Sequence, residues 1–141
     1  MFCGIPPSPH RRLAMARILV VDDDPDLVET VSMMLEKRGH QVVPAYGGVE
    51  GLKKVREEKP DAVVLDVMMP DKDGFEVCKE MKADPGLREI PVLLLTAVAS
   101  KISETKYTPR MAMETEADDY VDKPVKPEEI ARRVERLLSR P

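Results

Sequence analysis

Short apolar runs separated by helical patterns constrain the fold of this chain more than any other feature. The segments 18–21, 62–65 and 92–95 are uninterrupted stretches of aliphatic residues, as expected of strands that are covered on both faces. Shorter runs at 42–43 and 120–121 predict two further strands. Because helical patterns lie between the runs, the sequence predicts an α/β fold, a doubly wound five-stranded parallel sheet with helices on both faces.

The predicted helices begin and end at recognisable residues. Asp24 followed by Pro25 combines a capping carboxylate with a proline at the first helical position, and Gly39 marks the end of that helix. A second helix ends before Pro60, a third follows the 70–74 turn, and the last begins at Pro127. Residues 99–118 are polar and contain a proline, so we expect an irregular fourth helix there, short or broken.

Composition limits the protein to one domain of an ordinary globular class. The chain has 141 residues, 43% hydrophobic and 34% charged, with a formal net charge of −4. The acidic balance argues against direct nucleic-acid binding, and no run approaches the roughly 18 apolar residues of a membrane span. Cys3 and Cys78 lack metal-ligand spacing, so free thiols and a cytoplasmic location are expected.

The first residues differ in character from the remainder. Residues 1–16 are rich in proline and lack periodicity, so we interpret them as a disordered extension, or as an artefact upstream of a natural start at Met15. The folded domain is then expected over 17–141. Methionines within the predicted helices and loops are interpreted as core fillers, namely Met33, Met34, Met69 and Met81.

Acids, a hydroxyl and a lysine follow the predicted strands. Asp22 and Asp23 follow the first strand, Asp66 the third, Thr96 the fourth and Lys123 the fifth. Ligands of open α/β sheets bind beyond the carboxyl ends of the strands, so these side chains are expected to converge. Converging carboxylates need a compensating cation, and Mg²⁺ prefers such oxygen ligands. A carboxylate beside Mg²⁺ can attack a phosphoryl group and form an acyl phosphate.

Each of these residues also has a plain structural interpretation. The acidic run can be a helix cap, Asp66 a solvated strand-end acid, Thr96 a turn residue and Lys123 a surface lysine. It is their combination, in this order along the chain, that is specific.

Four segments carry a resemblance to a known family. ILVVDDDPDL, DAVVLDVMMPDKDGFEVCKEM, IPVLLLTA and ADDYVDKPV resemble, in order, the motifs of the receiver (phosphoacceptor) domain of two-component response regulators. The resemblance covers roughly residues 17–139. It implies a flavodoxin-like fold with strand order 2-1-3-4-5.

The resemblance assigns roles to individual residues. Asp66 matches the phosphorylated aspartate. Asp22 and Asp23 match the acidic pair that holds Mg²⁺, with Asp23 a direct ligand, and the metal also faces Asp66 and the backbone carbonyl of Met68. Thr96 matches the switch hydroxyl and, with Lys123, contacts the phosphoryl group.

Three further features follow from the same resemblance. The Lys123–Pro124 bond matches a cis peptide of the family. Tyr120 matches an aromatic switch that moves inward on activation, and its alternative is a rim aromatic. Gly74 is expected to give its loop backbone freedom.

The implied function is signalling, not enzymatic catalysis. A sensor histidine kinase or phosphotransfer protein would phosphorylate Asp66, and the altered conformation would signal to a downstream protein target or to an output domain absent from this chain. Membrane binding is not expected, and a homodimer is left open. The alternatives are a phosphorylation-independent pseudo-receiver, a flavin-binding module, whose phosphate loop would not be acidic, and an aspartyl-phosphate phosphatase. Such phosphatases usually carry a second acid where this chain has Met68.

The chain also departs from the family pattern. The spacing from Thr96 to Lys123 is a few residues longer than usual, Glu116 replaces a common glycine, and Val125 replaces an aromatic residue. We therefore expect a remodelled output face. The resemblance implies that Met68 and Val98 flank the water that attacks the phosphoryl group, and because neither apolar side chain can orient that water, we expect a persistent phosphorylated form.

Overall fold

A parallel sheet forms the centre of the computed structural model, which describes residues 16–96 and 116–140. Its strands run in the order β2-β1-β3-β4-β5, and every neighbouring pair is parallel. The predicted flavodoxin-like strand order 2-1-3-4-5 is thus confirmed. The strand bounds are β1 Arg17–Val21, β2 Gln41–Ala45, β3 Ala62–Asp66, β4 Val92–Thr96 and β5 Asp119–Asp122.

Four helices accompany the sheet within these residues, and their starts follow the sequence signals. Asp24 caps the first helix by accepting a hydrogen bond from the Asp26 N–H, with Pro25 at the first helical position. The helix ends before Gly39, whose φ of 94° favours glycine. The helix bounds are α1 Pro25–Lys37, α2 Gly48–Glu58, α3 Gly74–Ala83 and α4 Pro127–Leu138.

The helices cover both faces of the sheet and form two cores. Helices α2 and α3 pack on one face around Leu65 and Leu94, and helices α1 and α4 pack on the other around Val64 and Leu93. Successive strand residues point to opposite faces and both faces are covered, which is why residues 18–21 of β1, 62–65 of β3 and 92–95 of β4 are all apolar. No helix in the described part of the chain is long and apolar enough to cross a membrane.

Two side chains differ from the sequence-based expectation. Met33 is 63% exposed, because the apolar stripe of α1 runs through Val31 and Leu35 and leaves Met33 on the opposite side. Ala16 was expected to end the N-terminal extension, but it is buried and its carbonyl accepts a hydrogen bond from the Gln41 N–H. The expected extension covered 1–16, and residues 1–15 of it lie outside the described residues, as does most of the expected fourth helix over 99–118.

Candidate functional site

Three carboxylates meet at the carboxyl ends of the two central strands. Because β1 and β3 are neighbours, Asp22 and Asp66 leave the sheet side by side, and Asp23 lies beside them. One oxygen atom from each carboxylate lies within 4.8 Å of the others. Asp22 and Asp66 are buried, whereas Asp23 is exposed at the rim. The predicted convergence of these acids is therefore present.

Lys123 reaches this cluster from the outer strand of the sheet. Its Nζ lies 3.0 Å from Oδ2 of Asp22 and 3.0 Å from Oδ1 of Asp66. Burial alone would lower the pKa of Lys123, but the two carboxylates outweigh burial and raise this pKa above its ordinary value. The ammonium group is therefore held in its charged form at the centre of the cluster.

Burial also governs the protonation of the two inner carboxylates. It is the largest cause that raises the pKa of Asp66 to about 6, followed by the negative charge of Asp22, while Lys123 opposes both. Burial likewise raises the pKa of Asp22, against the hydrogen bonds from the Asp24 N–H and from Lys123. The fold thus concentrates more negative charge at this point than one lysine neutralises.

The donor set fits a hard divalent cation. Both oxygens of Asp22 already have partners, since Oδ1 accepts from the Asp24 N–H at 3.0 Å and Oδ2 accepts from Lys123. Asp23 at the rim and Asp66 in the floor offer the carboxylate oxygens that Mg²⁺ binds readily. Met68, whose carbonyl is a further expected ligand, is half-buried in the loop that follows β3.

Thr96 ends β4 next to this cluster and is 3% exposed. Its hydroxyl donates a hydrogen bond of 2.6 Å to Oδ1 of Asp122, its partner in the register between β4 and β5. Sequence reasoning missed Asp122. The available signal was its position directly before Lys123, which places it opposite Thr96 once the two strands pair.

Two features fix the loop between β3 and α3, namely the close approach of Gly74 to β3 and the hydrogen bonds of Asp71 to α2. A Cβ atom on Gly74 would lie 2.3 Å from the carbonyl oxygen of Asp66. The expectation that Gly74 supplies backbone freedom is wrong, because its φ is not positive and the requirement is space for the acceptor strand. Asp71, which the sequence identified only as part of the 70–74 turn, accepts hydrogen bonds from the N–H groups of Gly48 and Val49, and so ties the loop to the start of α2.

Other residues singled out from the sequence occupy the β5 edge. Tyr120 is half-buried and packs against the core beneath α2 and α3. The Lys123–Pro124 bond is cis, as expected. Val125 is half-buried against the opposite core, and Glu116 is exposed. Val98 and most of the segment expected to form a remodelled output face lie outside the described residues.

Comparisons with known proteins agree with this arrangement. The family model for the response regulator receiver domain matches residues 18–135. The alkaline phosphatase synthesis transcriptional regulatory protein PhoP of Bacillus subtilis is 41% identical over 124 residues, which cover 88% of this chain and 49% of PhoP. The chain thus spans about half the length of that relative.

Solved structures resemble the chain in the same way. The signal receiver domain of a signal transduction histidine kinase from Syntrophus aciditrophicus has a TM-score of 0.76 and 36% identity, and the match covers 88% of this chain and 90% of that one. The receiver domain of the sensor histidine kinase PA1611 from Pseudomonas aeruginosa, with magnesium coordinated in its active site cleft, has a TM-score of 0.76 and 25% identity, over 89% of this chain and 98% of that one. From the family match, the sequence identity and the shared fold, we conclude that this chain belongs to the response regulator receiver domain family of two-component systems.

Proposed function

We propose that Asp66 accepts a phosphoryl group from a phosphohistidine donor and that the modified domain signals through a change of conformation. The observation that carries the proposal is the placement of Asp66. It is 2% exposed at the end of a central strand, 3.0 Å from Lys123, with the oxygens of Asp22 and Asp23 within 4.8 Å. A buried carboxylate with a fixed cation beside it is suited to nucleophilic attack on phosphorus.

The proposed transfer forms one bond and breaks another. An oxygen of Asp66 attacks the phosphorus atom, the phosphorus–nitrogen bond of the donor breaks, and its electron pair stays on the imidazole nitrogen. The pKa of Asp66, about 6, leaves the carboxylate ionised and nucleophilic at neutral pH. Lys123 would hold the incoming group by its charge. Mg²⁺, bound through Asp22, Asp23, Asp66 and the Met68 carbonyl, would neutralise charge on the phosphoryl oxygens.

Signalling is proposed to follow from a shift between two conformations. A phosphoryl group on Asp66 adds acceptors for the Thr96 hydroxyl, and the state in which Thr96 reaches them gains population. Tyr120, already half-buried against the core on the same edge of the sheet, would move further inward as Thr96 shifts.

The partners proposed here come from the family and from the length of the relatives. A sensor histidine kinase or a phosphotransfer protein would be the donor. A downstream protein, or an output domain such as the further half of the PhoP chain, would read the signal. A cytoplasmic location is part of the proposal and agrees with the free, buried thiol of Cys78.

The test is the intact mass of the protein after incubation with Mg²⁺ and acetyl phosphate. Wild type is expected to gain one phosphoryl group, ~80 Da, only when Mg²⁺ is present, and Asp66→Asn should gain none. Asp61→Asn is the matched control, because Asp61 is an exposed carboxylate just before the opposite end of the same strand. It should be phosphorylated like wild type.

Other outcomes would favour the alternatives. If no donor phosphorylates the wild type, the proposal fails and a pseudo-receiver that binds partners without phosphorylation is favoured. If the protein releases inorganic phosphate continuously from phosphate monoesters, an aspartyl-phosphate phosphatase is favoured.

A further inference from the structure

The side chains of Thr96 and Asp122 are joined at the edge of the proposed phosphorylation site. Thr96 and Asp122 are register partners on β4 and β5, so the parallel sheet places their side chains next to each other on the same face. The Thr96 hydroxyl donates to Oδ1 of Asp122 at 2.6 Å. The same strand ends are joined by the Lys123 N–H, which donates to the Thr96 carbonyl at 2.6 Å.

This hydrogen bond occupies a group that the proposed switch requires. A threonine hydroxyl has one hydrogen to donate. While that hydrogen is donated to Asp122, it is not available to a phosphoryl oxygen on Asp66. Because the Asp122 carboxylate is anionic, this hydrogen bond is charge-assisted, and Thr96 must give it up to form a charge-assisted bond with a phosphoryl oxygen.

Among the described residues, no cationic side chain competes with the Thr96 hydroxyl for the Asp122 carboxylate. Lys123, its neighbour in sequence, directs its ammonium group to Asp22 and Asp66. Within residues 16–96 and 116–140, no cationic side chain pairs with Asp122, and its side-chain partner is the Thr96 hydroxyl. Asp122 is itself exposed, so its contribution to the buried core is small.

We infer that Asp122 is a positioning residue that holds the Thr96 hydroxyl away from Asp66 in the unphosphorylated protein. The inference rests on the proposed function, in which Thr96 must reach the phosphoryl group. Asp122 thereby sets a threshold: the active conformation forms only when a phosphoryl group replaces the carboxylate as the acceptor. A domain without Asp122 would be more easily activated and would have a larger active fraction at the same level of phosphorylation.

The test compares Asp122→Val, which removes the acceptor, with Asp122→Asn, which removes the charge but keeps an acceptor oxygen. Each is made in wild type and in a Thr96→Val background. Valine suits an exposed position at the end of a strand. The readout is the apparent affinity for beryllofluoride, a mimic of the phosphoryl group, added with Mg²⁺ and followed by ¹⁹F NMR. Asp61→Asn controls for the loss of one negative charge elsewhere.

With Thr96 intact, Asp122→Val is expected to bind beryllofluoride about tenfold more tightly than wild type, which is the scale of one partly solvated charge-assisted hydrogen bond. Asp122→Asn is expected to show a smaller gain in affinity. In the Thr96→Val background the change should fall below about twofold. An equal gain in both backgrounds would mean that the charge of Asp122 acts directly on the ligand, which would overturn the inference. An Asp122→Val variant with Thr96 intact that binds beryllofluoride no more tightly than wild type would also overturn the inference.

A second readout needs no ligand and separates the two hypotheses. Three-bond couplings to the Thr96 methyl group should report one rotamer in unphosphorylated wild type and averaging in Asp122→Val. Averaging already present in wild type would overturn the inference even if beryllofluoride binds and the proposed function stands. If beryllofluoride binds neither wild type nor Asp122→Val, the proposed function fails and the inference fails with it.

Discussion

Replacing Asp66 by asparagine is expected to stabilise the metal-free fold at neutral pH. The side chain is buried, and burial together with the charge of Asp22 raises the pKa of Asp66 from 3.8 to about 6. At 1.36 kcal/mol for each pKa unit, ionised Asp66 lowers the free energy of unfolding by about 3 kcal/mol relative to the neutral form. Asparagine has the shape of the neutral acid, and in the variant Lys123 keeps Asp22 as a partner at 3.0 Å.

The effect has a defined pH dependence. The pKa of Asp66 is higher in the folded state, so the folded state binds the proton more tightly. This stabilising contribution is complete below about pH 4 and is lost as the pH rises through about 6. The free energy of unfolding of wild type should therefore fall across this window, and Asp66→Asn should lack that part of the decrease. The expected difference between the two proteins is small at pH 4 and about 2 to 3 kcal/mol at pH 7.5.

Urea unfolding followed by far-ultraviolet circular dichroism, in the presence of a chelator, measures this difference. Asp61→Asn serves as the control and should stay close to wild type at both pH values, because Asp61 is exposed and asparagine keeps an oxygen that can accept the hydrogen bond from the Arg17 N–H. An Asp66→Asn variant no more stable than wild type at pH 7.5 would refute the reasoning. So would a gain of the same size at pH 4, since that gain could not come from the ionisation of Asp66.

Three further predictions address the metal, the lifetime of the phosphorylated form and the loop. In urea unfolding, Mg²⁺ at about a hundred times its Kd should raise the free energy of unfolding of wild type by about 2.7 kcal/mol. The same Mg²⁺ concentration should stabilise Asp23→Asn far less. Equal stabilisation of the two proteins would exclude Asp23 as a ligand. Phosphorylated wild type should lose its phosphoryl group slowly in a mass-spectrometric time course. Met68→Asn should lose it faster, because asparagine can orient the attacking water. A half-life of seconds in wild type would contradict the expected persistence. Gly74→Ala should cost more than about 2 kcal/mol in urea unfolding, because its Cβ would lie 2.3 Å from the Asp66 carbonyl oxygen. Gly86→Ala, whose Cβ would meet its nearest atom at 3.4 Å, is the control, and equal losses would contradict the steric argument.

The sequence alone determined the features of this protein that depend on local pattern. Buried strands are apolar without interruption, so β1, β3 and β4 were predictable, as was the start of α1 at Asp24 and Pro25. Asp66 was predictable as a candidate because it directly follows the apolar run of β3. The strand order does not follow from local pattern, and the resemblance to the receiver family supplied it.

Only the tertiary structure decided which side chains touch. The hydrogen bond between Thr96 and Asp122 depends on the register of two strands, and the ion pair of Lys123 with Asp22 joins residues 101 positions apart. The steric requirement for glycine at position 74 likewise depends on the tertiary structure, because it arises where the loop packs against β3. The physical reason is the same in each case. Local pattern fixes which face a residue occupies, but distances of about 3 Å are set by the packing of segments remote in sequence, and such distances decide hydrogen bonds, steric contact and the pKa of a buried carboxylate.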